Sequence, residues 1–129
     1  MCIRDRDYVQ ALRDIVVIIM IEKRAAVEHL EEILSVEGVD MVQWGPSDYS
    51  MSIGKPGQRD HPEVKAAERK VFETAIAMGV PPRAEIHTPE QATRFLEMGV
   101  RHFNLGADLS ILYNWWKING AALRQMVKQ

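Results

Sequence analysis

Cysteine is nearly absent. Cys2 is the only one in the 129-residue chain, so no internal disulfide can form, and this usage fits a reducing compartment, with a cytoplasmic location expected. Long apolar runs are missing too. The longest, Ile15 to Ile21, falls well short of the roughly 18 residues of a membrane span. The start MCIRDRD is charged and has no apolar stretch directly behind it, so it does not read as a signal peptide. Charge of one sign is not in excess: 16 Lys and Arg face 18 Asp and Glu, a formal net charge of -2. That balance offers no basic field for nucleic acid or an anionic membrane surface. No Gly-rich loop of the GxGxxG or GxxxxGK type is present, which removes the usual support for nucleotide binding.

What is present alternates. Val16 to Ile21 is short and β-branched, predicting a strand buried on both faces. Ala25 to Val36 carries Val27, Leu30, Ile33 and Leu34 at helical spacing, with Glu28, Glu31 and Glu32 outward and Gly38 placed to end it. Val39 to Trp44 predicts a second strand, followed by a Gly-, Pro- and Ser-rich loop from Gly45 to His61. Pro62 to Met78 predicts a helix with Val64, Ala67, Val71, Ala75 and Met78 on one face, stopped by Gly79. Arg83 to Ile86 reads as a third strand. Thr88, Pro89 and Gln91 form a capping-box start for a helix burying Ala92, Phe95 and Leu96 and ending at Gly99. Val100 to Leu105 is a fourth strand. Asp108 is placed to cap a last helix carrying Ile111, Leu112, Trp115 and Ile118, with Gly120 interrupting it.

Repeated βα units imply a parallel sheet with outer helices. A (β/α)8 barrel takes about 250 residues, so four units in 129 residues make half of one. A small free-standing α/β sheet stands as the other architecture. The chain reads as one partial domain, 1–129, whose residues 1–6 are expected to be foreign to it, since Asp7 to Leu12 resembles the tail of a helix already under way.

Glu22 closes the first strand and Asp48 follows the second, 26 residues later. In a parallel sheet that spacing puts both at the carboxyl ends of neighbouring strands, the rim where barrels and open sheets place their ligands. Two converging carboxylates repel unless a cation sits between them, and Mg²⁺ characteristically takes one or two protein carboxylates with water and substrate oxygens. The plainer alternative is that both are first-turn acids at βα junctions. Gly45-Pro46-Ser47 favours the metal: a Gly-Pro turn forces irregular backbone and can aim the amides of Ser47 and Asp48 outward as anion donors.

These residues resemble the HpcH/HpaI aldolase family. The matching elements are the strand ending Ile21-Glu22, V-x-G-V-D at Val36 to Asp40, G-P-S-D-x-S at Gly45 to Ser50, G-x-x-G…H-P-E-V at Gly54 to Val64, and G-V-x-x-F-x-x-G-x-D at Gly99 to Asp108. The resemblance runs from about Asp7 to the C-terminus and corresponds to the C-terminal half of the family's barrel. It implies a metal-dependent retro-aldol cleavage of 4-hydroxy-2-oxo acids giving pyruvate and an aldehyde, with Mg²⁺ or Mn²⁺ held by Glu22 and Asp48. It also implies a substrate carboxylate gripped by the Ser47 and Asp48 amides behind Pro46, and a homo-oligomeric whole enzyme whose last helix packs across subunits. The family's catalytic histidine and enolate-stabilising arginine match nothing in this chain, so the 129 residues alone are expected to be poorly active.

Other residues need sorting. Lys23 is better read as solvated than as a Schiff-base lysine. His61 is placed to cap a helix, His29 to face solvent, and His102 to sit at the opposite rim. His87 ends the third strand and is a rim contact for substrate. Asp108 reads as an N-cap. Trp115 and Trp116 are adjacent and cannot share a helix face: one is expected on the barrel and the other at a subunit contact. Tyr49 and Met51 are candidates for specificity. An acyl-CoA lyase of the citrate-lyase β type and a non-catalytic fragment with a vestigial metal site are the competing functions.

Overall fold

The computed structural model describes residues 5–128. Cys2, and most of the start expected to be foreign, lie outside them. The order is α1 (Asp5–Arg13), β1 (Ile18–Ile21), α2 (Arg24–Glu28), α3 (Leu30–Leu34), β2 (Met41–Trp44), α4 (Pro46–Ser52), α5 (Pro62–Ala77), β3 (Pro82–Ile86), a 3-10 turn (Pro89–Gln91), α6 (Ala92–Glu97), β4 (His102–Leu105) and α7 (Asp108–Val127). The four strands lie in the order β1-β2-β3-β4. All pairs are parallel, with Ile21 opposite Trp44, Gln43 opposite Arg83 and Ile86 opposite Leu105.

Strand alternation separates two faces. Ile21, Val42, Trp44, Ala84 and Ile86 join Val64, Val71 and Phe72 of α5 and Phe95 of α6 in one buried cluster. Leu30 and Leu34 of α3 complete it. The opposite face carries Met20, Gln43, Arg83 and Glu85. There the Arg83 guanidinium donates to the Gln43 amide oxygen, from Nε at 2.7 Å and from Nη2 as well.

Several boundaries differ from the sequence reading. The first strand starts at Ile18, and it is not packed on both faces: Ile21 is 1% exposed while Met20 is 48% and Val16 59% exposed. β1 is an edge strand, and no described layer covers its second face. The helix expected over Ala25 to Val36 bends at His29 (φ -104°, ψ 30°) into α2 and α3. α5 buries Glu68 and Phe72 in addition to the expected face, whereas Met78 closes it from the surface. Gly79 follows with φ 76°, a left-handed stop that favours glycine. Leu96 of α6 is exposed, since this short helix turns Phe95 fully and Ala92 partly inward. Val100 is buried ahead of β4 rather than within it.

The Gly45–His61 segment is not all loop. α4 begins at Pro46, where proline's fixed φ and missing N–H suit a first helical position. α7 runs through Gly120 without interruption and buries none of its residues. Ile111, Leu112, Trp115 and Ile118 are all exposed, because nothing in the described chain lies beneath them. Neither tryptophan packs on the sheet. Their rings instead meet edge to face, centroids 4.7 Å apart. α7 begins one residue earlier than expected: Ala107 is the extended N-cap, Asp108 is the first helical residue, and Asp108 Oδ1 accepts the Leu109 amide at 2.7 Å.

Candidate metal and carboxylate site

Glu22 directly follows β1 and Gly45 directly follows β2, and the Gly45 amide donates to the Ile21 carbonyl at 2.9 Å. The two strand ends therefore stay paired up to the rim. Gly45 has to be glycine for a steric reason. A Cβ there would stand 2.7 Å from Glu22 Cβ and 3.1 Å from Glu22 Oε2, so the glutamate side chain lies in the space a larger residue would fill. Three residues on, Asp48 sits in the first turn of α4.

The first-turn amides of a helix have no partner within it. In α4 the Gly45 carbonyl accepts from Tyr49 at 3.0 Å, leaving the Ser47 and Asp48 amides ahead of the first bond. The two amides open a short helix, where the sequence suggested an irregular Gly-Pro turn. Trp44 and Tyr49 pack beneath, ring centroids 4.7 Å apart. Burial raises the Tyr49 hydroxyl above its ordinary 10.0, with Glu63 pushing the same way. The Trp44 indole N–H is buried without a partner among the described residues.

Glu22 and Asp48 are both half-buried, and none of the ion pairs among the described residues involves either. Both carboxylates therefore remain available as ligands at this end of the sheet. No group of three or more His, Cys, Asp or Glu side chains gathers among the described residues. Two carboxylates alone would leave most of a cation's coordination positions to other ligands.

The other candidates fall around this corner. Lys23 follows Glu22 in solvent. His87 is exposed just past β3, its amide held by Gln91 Oε1 at 2.7 Å. With Pro46 and Trp44 it lines a pocket of about 410 Å³ that neither Glu22 nor Asp48 lines. His87 therefore faces the rim but stands beside the carboxylates. His61 Nδ1 accepts the Glu63 amide at 3.2 Å as a helix cap, His29 pairs with Glu32 at the surface, and His102 starts β4 at the far end of the sheet.

Three residues at the corner had no role in the sequence reading. Glu63 takes Arg24 Nη2 at 3.1 Å on one oxygen and Lys55 Nζ at 2.6 Å on the other. The Lys55 hydrogen bond chiefly holds the Glu63 carboxyl below its ordinary 4.5. The H-P-E-V run was visible as a pattern, but nothing in it announced these partners.

A four-stranded parallel sheet of βα units, with Glu22 and Asp48 at its carboxyl rim, defines a barrel-type α/β protein. The chain belongs to the HpcH/HpaI aldolase/citrate lyase family, whose model matches residues 3–114. It is 38% identical over 107 residues to a 4-hydroxy-2-oxo-heptane-1,7-dioate aldolase of Escherichia coli, covering 82% of this chain and 41% of that one. It is 33% identical over 104 residues to a 5-keto-4-deoxy-D-glucarate aldolase of Escherichia fergusonii, with coverages of 81% and 41%. Among solved structures, citrate synthase SbnG superposes with a TM-score of 0.84 at 30% identity, over 94% of this chain and 49% of that one. An HpcH/HpaI aldolase from Desulfitobacterium hafniense gives 0.79 at 28% identity, over 96% and 49%. The chain thus spans about two-fifths of the length of the curated relatives it matches, and the four βα units correspond to about half of each solved barrel.

Proposed function

We propose that these residues form the metal- and carboxylate-binding half of a divalent-metal-dependent aldolase that cleaves 4-hydroxy-2-oxo acids to pyruvate and an aldehyde. The observation that carries the reading is the corner itself: Glu22 laid over Gly45, and Asp48 placed in a helix turn whose amides are free. Glu22 and Asp48 would hold Mg²⁺ or Mn²⁺. When bound, the cation supplies Lewis acidity toward the 2-oxo group. The Ser47 and Asp48 amides bind the substrate carboxylate, and Pro46 fixes the helix start that aims them. His87, at the neighbouring pocket, contacts the aldehyde-derived end. The proton-transferring histidine and the enolate-stabilising arginine belong to the remainder of the barrel, so chain 1–129 turns over little by itself. In the whole enzyme, α7 covers its apolar face against a neighbouring subunit.

Calorimetric titration with Mn²⁺ tests this. Wild type is expected to bind saturably at one site, and Asp48→Ala to lose that binding. Absence of binding by wild type would leave the vestigial-site reading in its place. Robust aldol cleavage by purified chain 1–129 would overturn the assignment of acid–base chemistry to the remainder of the barrel.

A further inference from the structure

The two carboxylates of the corner sit on separate segments. Glu22 belongs to the β1–α2 connection and Asp48 to α4, with 25 residues between them. Their mutual placement depends on contacts made at the rim. Backbone pairing of Gly45 with Ile21 ends at the strands. Beyond it, the Ser52 hydroxyl donates to the Tyr49 carbonyl at 2.8 Å and accepts the Arg24 amide at 3.1 Å. That bond ties the residue two places after Glu22 to the last turn of the helix bearing Asp48.

Glu63 adds a second, charged tie across the same gap. One oxygen takes Arg24 from the Glu22 segment at 3.1 Å, and the other takes Lys55 at 2.6 Å. Lys55 is in turn fixed to α4, its amide donating to the Ser50 carbonyl at 2.8 Å. Glu63 is a firm anchor because of its own neighbours. Pro62 starts the helix, His61 caps the Glu63 amide at 3.2 Å, and Val64 next to it is fully buried. Lys55 and Glu63 are 31% and 37% exposed, less open than a pair such as Arg69 and Glu73 at 70% and 59%. Fully exposed pairs contribute little; a tethered carboxylate joining two loops has a geometric consequence even where its energy is modest.

We propose that Glu63 is a positioning residue for the metal corner: by bridging Arg24 and Lys55 it holds the segments of Glu22 and Asp48 in the relative placement that a cation needs. The proposal rests on the corner being a metal site, and it gives the H-P-E-V run a task that is not catalysis. Outer partners that orient metal ligands commonly contribute 10- to 100-fold in affinity. Acting through two loops, Glu63 is expected at the low end of that range.

The test uses chain 1–129 with Glu63→Gln, Asp48→Ala and, as a control carboxylate away from the corner, Glu90→Gln. Two quantities are measured: the Mn²⁺ dissociation constant by calorimetry, and amide hydrogen exchange of the metal-free proteins. Glu63→Gln is expected to weaken Mn²⁺ about tenfold, and to speed exchange in residues 46–52 while the buried strands β2 and β3 keep their protection. Glu90→Gln is expected to change neither. Wild-type Mn²⁺ affinity in Glu63→Gln, beside lost binding in Asp48→Ala, would sink the positioning role and leave the metal site standing. Exchange in Glu63→Gln that rises equally in the strands would reduce Glu63 to a general stabilising contact and overturn the proposal. No Mn²⁺ binding in wild type would overturn both readings together.

Discussion

Helices α5 and α7 have similar lengths and opposite surroundings. α5 has 16 residues and turns Val64, Ala67, Glu68, Val71, Phe72 and Ala75 into the core. α7 has 20 residues and buries none, with Trp116 65% and Ile118 68% exposed. Both carry apolar residues at helical spacing. The difference lies in what each helix meets: α5 lies on the sheet face formed by β2 and β3, and α7 has no described element under it. An apolar stripe states that a surface has to be covered, and the cover itself comes from the rest of the fold.

The largest expected effect breaks the α5 side of this comparison. Phe72 is 1% exposed and meets Phe95 edge to face at 5.5 Å. Phe72→Ala removes the ring from between α5 and α6 and should cost about 3–5 kcal/mol, read as a lowered urea midpoint at unchanged slope. Gly45→Ala comes next and concerns the rim that α5 supports. Its new Cβ would press on Glu22 Cβ from 2.7 Å, and overpacking of this kind costs about 1–3 kcal/mol. Since the atom pushed aside belongs to a proposed metal ligand, Mn²⁺ binding should fall below detection in the same calorimetric titration. Retained binding in Gly45→Ala would mean that the glutamate position is not critical. Trp115→Ala tests the α7 side. With the ring 53% exposed and no core beneath, stability of the chain should change by no more than about 0.5 kcal/mol. A loss comparable with that of Phe72→Ala would show that α7 does pack on the sheet in solution.

The same contrast explains how much could be read in advance. Strand and helix positions were legible because β-branched runs, helical spacing and glycine stops act locally, as at Val42, Val64 and Gly79. Glu22 and Asp48 could be placed at one rim because parallel βα units repeat with a nearly fixed length. α4 was hidden, since Gly45, Pro46 and Ser47 have the composition of a loop although Pro46 also suits a helix start. The exposed second face of β1 was hidden because VVIIMI looks the same whether one face is covered or two. The Glu63 bridge was hidden for another reason: Arg24 lies 39 residues away, and no local pattern records a meeting across the rim.

The smallest expected effect is electrostatic and isolates that bridge. The Lys55 hydrogen bond, helped by Arg24 and opposed by partial burial, holds the Glu63 carboxyl below 4.5 in the folded chain. A carboxyl whose folded value is depressed contributes stability that is complete above its unfolded value and is lost as pH falls through the folded one. The bridge should therefore persist through neutral and mildly acidic solution and open only on the acid side of 4.5. Carboxyl carbon NMR on the metal-free chain can follow Glu63 directly. Lys55→Met should move its titration upward toward 4.5, because the first cause of the depression has been removed. Glu90 provides the internal reference, being held low by the Thr88 hydroxyl, and it should not respond to Lys55→Met. A Glu63 titration that stays put in Lys55→Met would mean that the 2.6 Å contact is not kept in solution, and that the corner is held by the Arg24–Ser52 bond and backbone pairing alone.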